Sequence, residues 1–324
     1  MSLRRYAVRR TVGTVLTFFV IATILFFLFR QVGSPIGLHI SDNMSPEQIE
    51  AVRASFGLDE SLYVQYYNYL VNIVTLEFGR SFYYSSPVGS IVIERLYNSL
   101  FLTIPSILIG YFVGVIGGVY LGWNRGNTKE RLGLVVALVF RSTPRFWLGL
   151  VLLFVFGSVF GLFPMSGMLP PGTEFDSHLQ LVTIPAFYSH IVMPIASMTL
   201  YLMGLPLLLM RTSLFEVMNE EFIEMIRAKG ASESRIMYRH AARNALLPVT
   251  TAFGVAIGYS FGGNLLVETV FSYPGIGRLM VNSVFRGDFP VAQFSFLMMA
   301  GVILLMNLIV DLTYGYLDPR VTYD

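Results

Sequence analysis

Of 324 residues, 54% are hydrophobic and only 13% are charged; cysteine is absent and the net charge is +2. Soluble domains carry about 25% charge, so this composition excludes an ordinary cytosolic enzyme and a disordered chain. So small a net charge leaves no electrostatic footprint for nucleic acid, and without cysteine there is no disulfide framework, thiolate metal site or cysteine nucleophile.

A helix crossing a bilayer needs about 20 mostly apolar residues. Six stretches qualify: 11–29, 96–124, 132–160, 188–210, 245–267 and 289–310. The first has the arginine-then-apolar look of a signal peptide, but Arg30 follows it and no small-x-small pattern does, so it reads as an uncleaved span. The division expected from this pattern is 1–30 as a cytoplasmic N-terminus with the first span, 31–95 as an external loop region, and 96–324 as the membrane domain.

The loop 31–95 is long and aromatic. In Ser45-Pro46-Glu47-Gln48 a serine cap, a proline at the first helical position and a glutamine closing a capping box predict a helix start, with Gly57 as its stop. Leu62, Tyr66, Tyr69, Leu70 and Ile73 recur at helical spacing and predict a second helix over 61–76. These helices form either a small cap on the membrane domain or a docking surface for an external partner.

Within the second span, Gly110, Gly114, Gly118 and Gly122 are each four residues apart, and Gly254, Gly258 and Gly262 repeat the spacing in the fifth. Each set lies on one helix face, where backbones can approach closely; a moving interface along a translocation path is the alternative. The third span carries Arg141 and Arg145 on one face. Arg141 lies about 13 Å beyond Leu132 at the helical rise. A charge so placed faces a bundle interior or a cavity, or else snorkels to the surface. Pro144 between the two predicts a kink. Glu268 and Asp311 are the acidic residues nearest the membrane zone and are expected at opposite ends of the bundle. Arg141, Arg145 and Glu268 are the candidates for a translocation path. Residues 161–187, with Gly161, Pro164, Pro170, Pro171 and Pro185, read as an irregular loop.

Residues 211–247 are the most informative. Arg211, Arg227, Lys229, Arg235, Arg239 and Arg243 mix with Glu216, Glu220, Glu221, Glu224 and Glu233. Phe215, Met218, Phe222, Met225 and Ile226 form an apolar stripe at helical spacing. Gly230 interrupts it before a second helical run that ends ahead of Pro248. Two amphipathic helices about a glycine turn predict a surface for a protein partner. Placing the N-terminus inside puts this loop, Arg125, Lys129 and Arg131 on the cytoplasmic side with both termini, as the bias in Lys and Arg requires.

Gly258-Tyr259-Ser260-Phe261-Gly262 formally matches a nucleophile elbow, which needs a strand–turn–helix setting that a membrane span cannot supply. His39, His178, His190 and His240 show no metal-ligand spacing, and no phosphate-binding loop occurs.

Glu224-Met225-Ile226-Arg227-Ala228-Lys229-Gly230, followed by His240-Ala241-Ala242-Arg243-Asn244-Ala245-Leu246-Leu247-Pro248, resembles the cytoplasmic loop of ABC importer permeases, in the version of the dipeptide/oligopeptide family's B-type subunit. Further similarity lies in Phe56-Gly57-Leu58-Asp59 with Tyr66 and Tyr67, in Glu94-Arg95-Leu96, in the run from Val267-Glu268-Thr269 to Ser272-Tyr273-Pro274-Gly275-Ile276-Gly277, and in Tyr316-Leu317-Asp318-Pro319-Arg320. Two departures stand out. Met225 and Ile226 replace the alanines of the general loop pattern, and Gly33-Ser34-Pro35 replaces a Pro-Gly-Asp-Pro after the first span. The resemblance implies an all-α, multi-pass type I importer permease in the cell membrane, with six spans and both termini cytoplasmic. It implies a second permease as heterodimer partner, two ATPase subunits that hold the ATP and Mg, an external substrate-binding protein, and no cofactor or bond chemistry on this chain. Residues Glu224, Met225, Ile226, Arg227, Ala228, Lys229, Gly230 and Ala231 would then form the segment that couples to the ATPase. The family carries di- and oligopeptides, while similar permeases carry oligosaccharides or nickel. A secondary transporter or a membrane-embedded enzyme would need coupling carboxylates, internal repeats or convergent ionisable groups, and only the two arginines qualify.

Overall fold

The computed structural model describes residues 3–31, 45–47, 50, 59–260 and 264–317. Among them, regular structure is helical apart from an isolated bridge between Arg80 and Pro87. Four helices among the described residues are long and apolar enough to cross a bilayer: Arg5–Gln31, Val88–Trp123, Pro185–Met218 and Phe289–Leu312. A helix pair bent at Pro144 counts as a fifth if its two halves are taken as one span, and the shorter apolar helix Leu247–Gly258 stands where another is expected. The chain divides into two compact units, Met1–Asn98 with Gly275–Asp324, and Ser99–Pro274.

In the first unit, α1 (Leu3–Gln31) and α11 (Phe289–Leu317) pack along each other. Gly301 permits the approach, since a β-carbon there would stand 3.0 Å from the Phe18 ring. Arg10 donates from Nε to Asp311 at 2.6 Å. The loop helix α2 (Leu62–Thr75) falls where the apolar spacing places it and ends at Leu76 in a left-handed conformation. It docks on α1 through Tyr66, whose hydroxyl lies 2.7 Å from that of Thr23, and Tyr69, which donates to the Ala22 carbonyl at 3.2 Å. In the expected helix after Ser45, Pro46, Glu47 and Glu50 are helical; Gln48 and Gly57 lie outside the described residues. Buried Asp288 accepts hydrogen bonds from the Ser81 hydroxyl and the Phe82 amide, and so organises the turn leading into α3 (Val88–Trp123).

In the second unit, the stretch 132–160 is not one helix. It is α4 (Thr128–Ser142) and α5 (Arg145–Leu152), the latter continuing to Val159 with wider π-type winding, and the two directions differ by 102°. Pro144 lacks the amide a continuous helix needs and forces the residue before it out of the helical region. Thr143 is accordingly extended, at φ −81°, ψ 131°. The kink expected from sequence is therefore a full break. The loop after Val159 is irregular until His178–Leu181, and α6 (Pro185–Leu202) then runs nearly without interruption into α7 (Gly204–Met218). A short helix, α8 (Glu221–Ala228), precedes the Gly230 turn. The stretch 245–267 holds α9 (Leu247–Ser260) and the start of α10 (Leu265–Val270), with 261–263 outside the described residues. Ser260 lies at the end of a helix, in no strand–turn–helix setting.

Candidate functional site

The glycine turn is built as its sequence requires. Ala231 donates back to the Ile226 carbonyl and Gly230 to that of Arg227, which closes α8. Gly230 sits at φ +78°, and a β-carbon on it would meet nothing within 4 Å. Backbone conformation alone, not crowding, demands glycine here. Across the turn Arg227 donates from Nε to Glu233 Oε1 at 3.0 Å. That hydrogen bond, and then the carboxylate's charge, push the Arg227 guanidinium further up from its ordinary value. Both side chains are about half-exposed, so the pair sets geometry more than stability. Glu233 thus closes the turn, and Glu224 is exposed.

The apolar stripe read from sequence divides in the structure. Ile223, outside the predicted stripe, is fully buried with Ile236, while Phe222 and Ile226 are partly buried beside them. Met225 is 57% exposed. An eight-residue helix has room for one inward row only, and Ile223 holds it. Exposed Glu224, Met225, Arg227, Ala228, Lys229 and Gly230 form a continuous outward face, with Ala231 half-buried behind it.

Sequence reasoning missed what fastens this region to its neighbours. Glu130, which lacked any distinguishing pattern, is 4% exposed and accepts from Arg211 Nε at 2.9 Å, from Arg211 Nη2, and from the Gly126 amide at 2.6 Å. The Arg125 guanidinium lies 3.2 Å from the centre of the Phe215 ring. These contacts lock the 124–131 turn to the end of α7, one short turn ahead of α8.

Arg141 and Arg145 line one cavity of about 330 Å³ with Thr103, Ile107, Tyr111, Met198, Tyr201, Leu202, Leu205, Ala252, Val255, Ala256 and Asn264. The break at Pro144 places one arginine at the end of α4 and the other at the start of α5. Arg145 donates to Asn264 Oδ1 at 2.7 Å, and its guanidinium lies 4.4 Å from the centre of the Tyr201 ring. Among the described residues Arg141 makes no hydrogen bond or ion pair, and no carboxylate lines the cavity. Glu268, the third candidate for a translocation path, is not among the residues that line this cavity. It is 1% exposed, and its Oε1 accepts from the Ser99 hydroxyl at 2.7 Å and the Asn264 amide at 3.1 Å. Its burial suits a structural brace, because a carboxylate left without donors would be costly there.

The glycines of the second span pack closely, while Gly254 of the fifth does not. A β-carbon on Gly114 would stand 2.6 Å from the Met203 carbonyl oxygen, and one on Gly118 2.6 Å from that of Leu207. Gly110 and Gly122 also face the Pro185–Met218 helix closely. Gly254 meets nothing within 4 Å, so this series makes no such approach there. Gly258 lies on α9, and Gly262 is outside the described residues. Among the described residues no cluster of His, Asp and Glu could hold a metal.

Two family models together match almost the whole chain. One, described as binding-protein-dependent transport system inner membrane component, matches residues 106–323, and its N-terminal counterpart matches residues 3–103. The glutathione transport system permease protein GsiC of Escherichia coli is 32% identical over 319 residues, covering 98% of this chain and 99% of its own. A peptide transport system permease protein of Brucella abortus, so named provisionally, is 32% identical over 317 residues, with 98% of each chain covered.

Proposed function

The chain belongs to the family of binding-protein-dependent transport system inner membrane components, as an ABC importer permease of the peptide type, and from that premise we propose that it forms, with a second similar permease, a path for di- or oligopeptides handed over by an external binding protein. Members of the family are multi-pass membrane proteins of the type I importer fold; they are transport subunits and not enzymes themselves. ATP and Mg would reside on two separate ATPase subunits seated against the Gly230 turn. The relatives' names, glutathione and peptide transport, support a peptide cargo over an oligosaccharide or nickel.

One observation carries the coupling role. A single apolar core contains Ile223, Ile236 and Met237 beneath the turn and also Ile107 and Tyr111, which line the arginine cavity. Packed side chains of this kind move together rather than deform smoothly. A shift of the segment Glu224, Met225, Ile226, Arg227, Ala228, Lys229, Gly230 and Ala231 is thereby delivered to the cavity wall. ATP-driven closure of the ATPases would draw two such turns together and alternate the access of the cavity between the two faces. The bond between Glu130 and Arg211 supports a common side for the 124–131 and 211–247 segments, and the bias in Lys and Arg supports that side, with both termini, as cytoplasmic.

The test is Gly230→Asp in the assembled transporter. The substituted residue must hold a left-handed conformation, at about 1–2 kcal/mol, and presents a carboxylate at the proposed contact. Membrane insertion should persist, while ATPase retention on purification falls or hydrolysis uncouples from uptake. Wild-type retention with normally coupled uptake would place the coupling site elsewhere.

A further inference from the structure

We propose, resting on the reading of this cavity as part of the path, that Arg141 and Arg145 make it a recognition subsite for the free carboxylate of a transported peptide. The subsite would belong to this chain itself, in addition to whatever selection the binding protein performs.

The charge pattern leads to this conclusion. Two guanidinium groups share a small cavity whose other walls are Ile107, Met198, Leu202, Leu205 and Val255 with aromatic and small residues, and no Asp or Glu is among them. Charges placed inside a membrane protein ordinarily pair with one another or with an acceptor. Glu268 does not line the cavity, and its Oε1 accepts from the Ser99 hydroxyl and the Asn264 amide. Arg141 has no hydrogen-bond acceptor among the described residues. The cavity therefore holds excess positive charge, and its complement is an anion.

The geometry narrows the anion. Arg145 is oriented by Asn264 on one edge and the Tyr201 ring against its face, which leaves its remaining donors as a fixed planar fork. Planar forks of this kind suit carboxylates, which accept two parallel hydrogen bonds. Tyr111 and Thr103 spend their hydroxyl protons on the backbone carbonyls of Ala252 and Ser99, so the arginines are the main donors the site offers. Arg141 is brought in by a close helix approach: a β-carbon on Gly204 would stand 2.8 Å from that of Arg141. A volume of about 330 Å³ lies at the small end of ligand pockets and suits a terminal residue with its carboxylate better than a whole oligopeptide. Apolar walls tolerate varied side chains, as a peptide carrier needs.

The experiment uses the complete transporter with its binding protein in proteoliposomes, and two probes: trialanine and trialanine amide. Arg141→Gln and Arg145→Gln are each compared with wild type one probe at a time, so that the binding protein's own preference cancels. Loss of a charge-assisted hydrogen bond is worth roughly 1.5–3 kcal/mol, so trialanine uptake should fall about tenfold to a hundredfold, with the amide falling much less. Arg145→Lys, which keeps the charge but not the fork, should fall in between. A second readout needs no uptake of the amide. Phenylglyoxal labelling of Arg141 and Arg145, mapped by mass spectrometry in the same complex, should be slowed by trialanine and not by its amide. Equal loss for both probes, or equal protection by both, overturns the subsite while leaving the path reading in place. Unchanged uptake of both probes in both glutamine variants overturns the path reading itself.

Discussion

Replacing Gly118 with alanine tests whether the second span owes its position to glycine. The added methyl would stand 2.6 Å from the Leu207 carbonyl oxygen and 2.6 Å from the Met210 β-carbon, with the Arg211 amide at 3.2 Å. None of these atoms is the far end of a flexible side chain, so the helices must separate by most of an ångström to restore ordinary contact. Overpacking of this kind costs about 1–3 kcal/mol, against which alanine recovers about 1 kcal/mol of helix propensity. Separation would also loosen the neighbouring contacts at Gly114 and Gly122, so the net effect is destabilisation by about 1–2 kcal/mol. Gly254→Ala is the matched control. It has the same spacing in sequence but nothing within 4 Å, so propensity alone should act and the change should be neutral or slightly stabilising. Thermal unfolding of the purified chain in detergent, followed by tryptophan emission, reads both. At roughly 2–4 °C per kcal/mol, Gly118→Ala should lower the midpoint by several degrees while Gly254→Ala leaves it unchanged or raises it. A Gly118→Ala midpoint equal to wild type would mean the helices do not approach as described.

Core and docking faces of α8 should separate by mutation. Ile223→Ala removes a fully buried side chain, costs about 2–5 kcal/mol and should reduce the amount of chain recovered from membranes. Met225→Ala removes an exposed one, should change stability by under about 0.5 kcal/mol, and should lower ATPase retention on purification. Equal recovery of the two variants would contradict the assignment of faces. The absence of native cysteine allows a clean topology test. Single cysteines at Thr128 and Ser232 should react with an impermeant maleimide only from the cytoplasmic side, and those at Ser85 and Thr173 only from outside. Outside labelling at Ser232 would invert the scheme.

Much of this protein follows from local sequence, because local physics is enough to dictate it. Apolar blocks long enough to span a bilayer are read directly. The helix at Leu62–Thr75 follows from its periodicity, and the glycine turn follows from a stop between two amphipathic runs, since only glycine takes φ +78° at little cost. The arginine pair was conspicuous because charge is rare in such a segment. Other features depend on what comes near from afar in the chain. Gly118 and Gly254 belong to series with one spacing, yet only Gly118 has a second helix close opposite it, which spacing cannot encode. Ile223 and Met225 are both apolar and two residues apart, and only the packed core decides which is buried. Pro144 announced an interruption, but the surrounding packing set its 102°. Glu130 and Arg211 meet across 81 residues. Glu268 became a buried brace once Ser99 and the Asn264 amide supplied its donors. In each case the energy lies in contacts between segments far apart in sequence, and these exist only after the chain has folded.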